Sequence, residues 1–399
     1  MIAMRLVECD VAVVGGGPAG SSAAKAAAAA GAHVILIEEH PVIGSPVFCA
    51  EGLSLNGIKD AGLEPVAPLV AQKITKARIF APNRNYIDLT SDNWVGYTLN
   101  RQFFDKAIGD LAVKAGAELM TDTKVSGVFR ENGKVAGVVA EHGGEQVKVK
   151  AKVTIGADGF WSIVRRSAGM ERWYPDVVTC AQYQLGGLHL DEPSTNEFYV
   201  GTCYAPGGYA WVFPKNGETA NVGLGVRNIH TEPAINYLKT FLDSDPRFEG
   251  AKVLRRNGGV TPVSGMLDKI VDDNLMLVGD AAGQLVPMTG AGIHSGIEAG
   301  KMAGREAVDA IVGEDTSAKR LNLYRVKFEK YWGKRIRDSR RIVEMLDKFS
   351  DDDLNTLSTV ITNDEILSLA NGQNTKRTVA KICARSPGKI MKLMAAYLK

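Results

Sequence analysis

Three stretches of the chain, residues 11–14, 34–37 and 275–278, contain no polar residue. Unbroken apolar runs of this length predict strands covered on both faces, as in a parallel sheet between helix layers. Between the first two lies an alanine-rich stretch of good helix propensity, closed by Gly31. From about 176 to 265 the pattern changes to repeated strand-forming segments at 182–185, 197–200, 209–213 and 220–226. These predict an antiparallel sheet. Residues 73–90 alternate in a similar way through Ile74, Ala77, Ile79, Ala81, Ile87 and Leu89. A helix is expected from Asn100 to about Ala115, a hairpin turn at Asn132-Gly133, and a helical tail beyond 318.

The turn after the first run reads Gly15-Gly16-Gly17-Pro18-Ala19-Gly20, and the second run ends in Glu38. Strand, Gly-x-Gly-x-x-Gly, helix, strand and acid in this order make a Rossmann-like dinucleotide site. Gly15 allows the tight turn, Gly17 lets a pyrophosphate approach the backbone, and Gly20 lets helix and strand pack closely. The helix N-terminus, with Ala19, faces the phosphates, while Glu38 accepts from ribose hydroxyls. Two more glycine-acid signals follow, Ala157-Asp158-Gly159 and Gly279-Asp280 with Gly290-Ala291-Gly292. A nicotinamide needs only the first signal, whereas the longer flavin dinucleotide, FAD, needs partners for its ribityl chain and ring. Asp280 at a strand end suits ribityl hydroxyls, and the N–H groups of Gly292 and Ile293 suit the pyrimidine edge. The loop 41–52, rich in proline and glycine, falls where such sheets hold ligands.

Composition narrows the class further. The 399 residues are 45% hydrophobic and 23% charged with a net charge of +2, which suits a globular protein and gives no case for nucleic acid. Cys9, Cys49, Cys180, Cys203 and Cys383 are scattered without a Cys-x-x-Cys pair, which speaks against zinc and against a disulfide framework, and for a reducing interior. The glycine turn arrives too early for a signal peptide to precede it, and no stretch has the length and apolarity of a membrane span. Without a second Gly-x-Gly-x-x-Gly unit there is no dedicated nicotinamide domain. The flavin is then reduced by transiently docked NAD(P)H or by a ferredoxin-type carrier.

The glycine turn, Ala157-Asp158-Gly159 and Gly279-Asp280-Ala281-Ala282 together resemble the FAD-dependent oxidoreductases of the para-hydroxybenzoate hydroxylase type. That resemblance implies extended FAD, with Arg101 reaching it from the helix after the loop and the strand near Val125 touching adenine through its backbone. Within this group, Tyr209-Ala210-Trp211-Val212-Phe213-Pro214 followed by Gly223-Leu224-Gly225 is similar to the signature of the geranylgeranyl reductases, and so is the loop Pro46-Val47-Phe48-Cys49-Ala50-Glu51-Gly52. Hydroxylases usually carry His after Gly-Asp-Ala-Ala; Gly283 stands here. The resemblance implies hydrogenation of C=C bonds of geranylgeranyl chains on archaeal-type glycerophospholipid precursors. It also places Cys49, Ala50 and Gly52 at the cofactor. Tyr209, Trp211 and Phe213 project to one strand face and can wall an isoprenoid chain, with Pro214 ending the strand and Gly223 and Gly225 leaving room. On pattern alone the same residues read as sheet core against a helix. Cys49 reads either as a small buried apolar group or as a group lining the reaction chamber and supplying the proton. Tyr209 and water are the other proton sources.

Basic residues crowd the tail: Lys319, Arg320, Lys327, Lys330, Lys334, Arg335, Arg337, Arg340 and Arg341 among Tyr324, Phe328, Tyr331 and Trp332, then seven more from Lys376 to Lys399. Such a surface suits anionic headgroups at the inner face of the cell membrane, with Arg335 a candidate for the substrate headgroup; it equally suits a solvated helix face or an assembly surface. The expected architecture is α/β, α+β overall. A discontinuous FAD-binding domain (1–72, 98–175 and 266–312) is interleaved with a substrate domain (73–97 and 176–265) and followed by a helical basic region (313–399). The competing functions are a flavin-dependent aromatic monooxygenase and an isoprenoid-binding flavoprotein without turnover.

Overall fold

The computed structural model describes residues 5–90, 95–170, 173–227 and 232–398; Lys399 lies outside them. The three apolar runs become neighbours in one sheet. Its parallel strands run Glu118–Met120, Val34–Ile37, Arg5–Val14, Glu145–Gly156 and Leu275–Leu277, with Val11 opposite both Val34 and Val153. Residues 11–14, 34–37 and 275–277 are all buried, in one core with the helix residues Ala24, Ala27 and Ala303 and the strand residues Val125 and Val138. The helix Pro18–Ala29 lies against the long helix Ile293–Val312 at backbone distance. A Cβ at Gly300 would sit 2.0 Å from the Ala19 carbonyl oxygen, and one at Gly304 2.2 Å from that of Ala23.

An antiparallel meander, Thr123–Glu131, Lys134–His142 and Glu145–Gly156, extends this sheet. Both its turns have two residues of positive φ, Asn132 and Gly133 (52° and 81°) and Gly143 and Gly144 (58° and 83°). That is the turn whose twist matches paired strands.

The second sheet runs Lys252–Pro262, Val177–Gly186, Thr219–Arg227, Tyr209–Pro214, Thr195–Val200, Lys76–Phe80 and Tyr86–Thr90. It is antiparallel except where Thr195–Val200 pairs parallel with Lys76–Phe80. Strand alternation divides its faces. Ala181, Ala210, Val212, Val222 and Leu224 pack on the helix Ala234–Asp243 through Leu238 and Phe241. Gln182, Tyr209, Trp211, Phe213, Asn221 and Gly223 take the opposite face. A small third sheet, Gly52–Ser54, Gly96–Leu99 and Val70–Ile74, carries the end of the loop 41–52.

The tail folds into helices with their own core, including Ile342, Met345, Leu369, Ile382 and Met394. Buried ion pairs join it to the second sheet. Asp176 accepts from Arg227 Nε at 3.0 Å and from Arg340, and Arg227 also pairs with Asp347.

Candidate flavin and substrate site

Two helix N-termini converge beside the glycine turn. Gly15 takes φ +102°, and a Cβ there would lie 2.4 Å from the Ala157 carbonyl oxygen; at Gly20 a Cβ would lie 1.9 Å from the Gly15 carbonyl oxygen. Gly17 is different. Nothing lies within 4 Å of where its Cβ would be, and it starts the helix Pro18–Ala29 without a side-chain cap. An open, uncapped helix end beside a closed turn is the cradle an extended pyrophosphate requires. Gly292 begins the helix Ile293–Val312, again without a side-chain cap.

The acids around this cradle differ in what they already hold. Glu38, at the end of its strand, accepts from Gly16 N–H at 2.6 Å and from His40 Nδ1 at 2.6 Å. Asp280 makes no side-chain hydrogen bond among the described residues, and its Oδ1 lies 3.1 Å from the Cβ position of Gly292. Burial raises its pKa, opposed by the Arg101 charge. A half-buried acceptor with no protein donor among the described residues fits ribityl hydroxyls. Asp158 departs from expectation. Its oxygens accept from Ser162 Oγ at 2.6 Å and Val164 N–H at 3.0 Å, so the carboxylate is already engaged at the start of the short helix Ile163–Ser167, whose N-cap is Ser162. Its backbone and that of Ala157 instead buttress Gly15. Val125 is buried in its strand opposite Ala140, beside a register shift.

Arg101 opens the helix Arg101–Lys114 and forks onto Asp105 at 3.0 and 2.5 Å. Burial works against its charge, but Asp105 and the neighbouring Cys49 sulfur outweigh that and hold the guanidinium charged. Glu51 was not singled out by the sequence, yet it is the hub of this corner. Its Oε1 accepts from Arg101 N–H at 2.9 Å and its Oε2 from Lys215 Nζ at 2.5 Å and Asn221 Nδ2 at 2.7 Å. Ala50 O accepts from Asn221, and Gly52 leaves 2.9 Å between its Cβ position and the Phe213 ring.

The aromatic strand faces this loop, not the helix Ala234–Asp243. Phe198, which the signature does not include, joins it: its ring lies 5.2 Å from Phe213 and 5.6 Å from Tyr209, and Tyr209 lies 5.8 Å from Trp211. Trp211 donates its indole N–H to Gln182 Oε1 at 2.8 Å. The space at Gly223 and Gly225 is taken within the chain. Cβ positions there would lie 2.6 Å from Trp211 and 2.5 Å from Val178, so these glycines seat the indole rather than an outside ligand. Pro214 ends its strand opposite Ala220. Tyr209 donates its hydroxyl to Thr289 O at 2.5 Å and lies 3.9 Å from the Cβ position of Gly290, whose φ is +64°. Burial raises its pKa, and the Cys180 and Cys49 sulfurs add to this. Cys180, also on this face, is pushed up to about 12 by burial. A phenol committed to a carbonyl and held above its ordinary range is a poor acid, so Tyr209 pins the loop 286–292.

Arg335 is not brought to this corner by its contacts. Its guanidinium lies 5.2 Å from the centre of the Trp332 ring, and its backbone meets Gly372. Most of the tail's expected aromatic fringe is buried: Tyr324 and Phe328 are fully covered and Trp332 nearly so, while Tyr331 is exposed. Several of its cations turn inward, with Arg320 and Lys327 on the buried Glu306, Arg385 on Glu365 and Lys389 on Asp353.

Residues 176–261 match the geranylgeranyl reductase catalytic domain, and residues 8–206 the FAD binding domain. The chain is 37% identical over 389 residues to digeranylgeranylglycerophospholipid reductase 2 of Methanopyrus kandleri, covering 96% of this chain and 97% of that one. It is 38% identical over 394 residues to the digeranylgeranylglycerophospholipid reductase of Methanocella arvoryzae, covering 97% and 98%. A geranylgeranyl bacteriochlorophyll reductase-like protein of Thermoplasma acidophilum has a solved structure that matches with a TM-score of 0.89 and 34% identity, covering 98% of this chain and 100% of that one. The flavin-dependent brominase Bmp2, at 18% identity and a TM-score of 0.72, shares the fold alone.

Proposed function

The chain belongs to the geranylgeranyl reductase family, and from that membership we propose that it saturates geranylgeranyl chains carried on glycerophospholipids. It is an FAD-dependent oxidoreductase. What carries the reading is the aromatic face of Tyr209, Trp211, Phe213 and Phe198, turned to the loop of Cys49 and not to the sheet's covering helix. Rings without free hydrogen-bonding groups suit a chain that offers none.

Bound FAD supplies the hydride. The residues supply the rest. Gly17 and the N–H groups of the first helix turn would hold the pyrophosphate, Glu38 the ribose and Asp280 the ribityl hydroxyls, while the uncapped Gly292 end of the second helix would offer N–H groups to the pyrimidine edge. We assign the proton for the second carbon to the Cys49 thiol. Glu51 N–H donates to Cys49 Sγ at 3.2 Å, and Arg101 adjoins the sulfur, so the thiolate left after transfer has two partners. Gly283 argues against the hydroxylase alternative. It takes φ +70°, and a Cβ there would lie 2.4 Å from Gly265 O, so no imidazole can be carried at that position without rebuilding the turn.

NAD(P)H or a ferredoxin-type carrier docks transiently as the electron donor. The protein also meets the membrane that holds its substrate. No described helix is long and apolar enough to cross a bilayer. Lys319, Leu323, Val326 and Lys330, at helical spacing on one face, are all exposed, with Tyr331 beside them. That mixture suits an anionic lipid surface.

The experiment is anaerobic. The flavin is reduced with dithionite, a geranylgeranylated phospholipid is added, and flavin absorbance and lipid mass are followed together. Reoxidation with lipid gaining two hydrogens per step is expected. Reoxidation only in air, with an aromatic additive hydroxylated, would establish a monooxygenase instead; tight lipid binding with no reoxidation would leave a binding protein.

A further inference from the structure

We propose that Glu51 is the positioning residue for Cys49, and that a row of carboxamides on the second sheet clamps the loop carrying both. The inference rests on the assignment of Cys49 as proton source.

Every polar group of Glu51 is engaged. Its N–H meets Cys49 Sγ at 3.2 Å, its carbonyl accepts from Leu99 N–H at 2.8 Å, and its carboxylate holds Arg101 N–H, Lys215 Nζ and Asn221 Nδ2. Its backbone sits at φ +75°, in the left-handed region that residues with a side chain seldom enter. Such a conformation persists only where the surroundings fix it, and here it aims the N–H at the sulfur. Glu51 is 3% exposed, so its carboxylate acts where water does not compete.

The sheet holds the rest of the loop by its carbonyls. Asn257 Nδ2 donates to Val47 O at 3.0 Å, Gln182 Nε2 to Cys49 O at 3.0 Å, and Asn221 Nδ2 to Ala50 O at 3.2 Å. Three adjacent strands provide these groups, with Gln182 directly opposite Asn257. Gln182 also holds Trp211, so one side chain fixes both the thiol's loop and the aromatic wall. The loop backbone is therefore tied to the sheet, and the Cys49 sulfur is left facing Arg101.

A carboxylate is required by the donor count. Glutamine keeps one acceptor and turns its NH₂ against N–H donors. Glu51→Gln alone leaves the Lys215 ammonium buried without its counter-charge, so Glu51→Gln/Lys215→Met is compared with it. Hydrogen exchange is followed peptide by peptide on the FAD-loaded protein, and iodoacetamide labelling is followed at each cysteine. Exchange over 46–52 and labelling of Cys49 should both rise at least fivefold, with Cys9, Cys383 and the helix Pro18–Ala29 unchanged. Unchanged exchange in the loop overturns the proposal. A rise shared by Cys9 and Cys383 in both variants also overturns it, because Glu51 is then a general stabiliser. Turnover separates this from the parent reading. A selective loop release with lowered kcat and unchanged KM supports both, whereas the same release with unchanged kcat keeps the positioning and removes Cys49 as the proton source.

Discussion

Gly300 touches the carbonyl of Ala19 so closely that a Cβ would stand 2.0 Å from its oxygen. Gly296, Gly300 and Gly304, each four residues apart, let the two helices meet along their backbones, and this brings together the uncapped N-termini at Gly17 and Gly292. Gly300→Leu should therefore lower stability by roughly 3 kcal/mol or more and empty the flavin site. Denaturant unfolding together with FAD content checks this. Full FAD loading at unchanged stability would mean the helix contact does not organise the cradle.

Gly15 and Gly17 should fail in different ways. At Gly15 both the positive φ and the Ala157 carbonyl exclude a side chain, so Gly15→Val damages the fold. At Gly17 the Cβ direction is open and φ is −67°. Gly17→Leu should fold within about 1 kcal/mol of the parent and still purify colourless. A yellow, fully loaded Gly17→Leu would move the pyrophosphate elsewhere.

Local signals were the legible ones. The glycine turn, the Asn132-Gly133 hairpin and the one-sided spacing of Tyr209, Trp211 and Phe213 each follow from a few neighbouring residues, and each is present. The partner of Asp158 is local too, a serine four residues on that caps the following helix. Gln182 and Asn221 also left a trace, as polar residues on the aromatic face of otherwise apolar strands. Glu51 left none. A loop glutamate looks solvated until Arg101, Lys215 and Asn221 converge on it from three elements. One inward pair of the tail was hidden for the same reason, because Asp176, which takes Arg340, lies far away in sequence.

Tyr209 separates an acid from a support. With its hydroxyl given to Thr289 O, Tyr209→Phe should cost about 1 kcal/mol in stability and less than tenfold in kcat. A loss nearer the top of the range for general acids, about 10⁴-fold, would return Tyr209 to the chemistry. Single-turnover flavin reoxidation measures it.

Asp176 makes the docking of the tail acid-sensitive. Burial alone would raise its pKa, but Arg227 and Arg340 outweigh that and hold it below the ordinary 3.8. A carboxylate depressed in the folded state stabilises above its unfolded value and loses that contribution as pH falls through the folded one. Asp176→Asn should therefore be destabilised by roughly 3 kcal/mol at neutral pH, a gap that closes below about pH 3.8. Thermal melts from pH 7 to 3 test the sign; a gap that widens in acid would contradict the assignment.

The membrane face rests on which tail cations remain free after the inward pairs are removed. Lys319, Lys330 and Arg337 are exposed and form no ion pair among the described residues, while Leu323, Val326 and Tyr331 are 45%, 55% and 65% exposed. A basic residue at an anionic leaflet contributes about 1 kcal/mol, so Lys330→Gln/Arg337→Gln should weaken sedimentation with phosphatidylglycerol vesicles about thirtyfold. Lys327→Gln provides the contrast, because its ammonium already lies 2.6 Å from Glu306. It should change vesicle binding little while lowering stability, since it removes a partner from a fully buried carboxylate. Raising the salt concentration should abolish the difference between parent and double variant, because headgroup attraction is screened within a Debye length. Equal losses from Lys327→Gln and from the double variant would mean that the tail binds lipid through another face, or through overall charge alone.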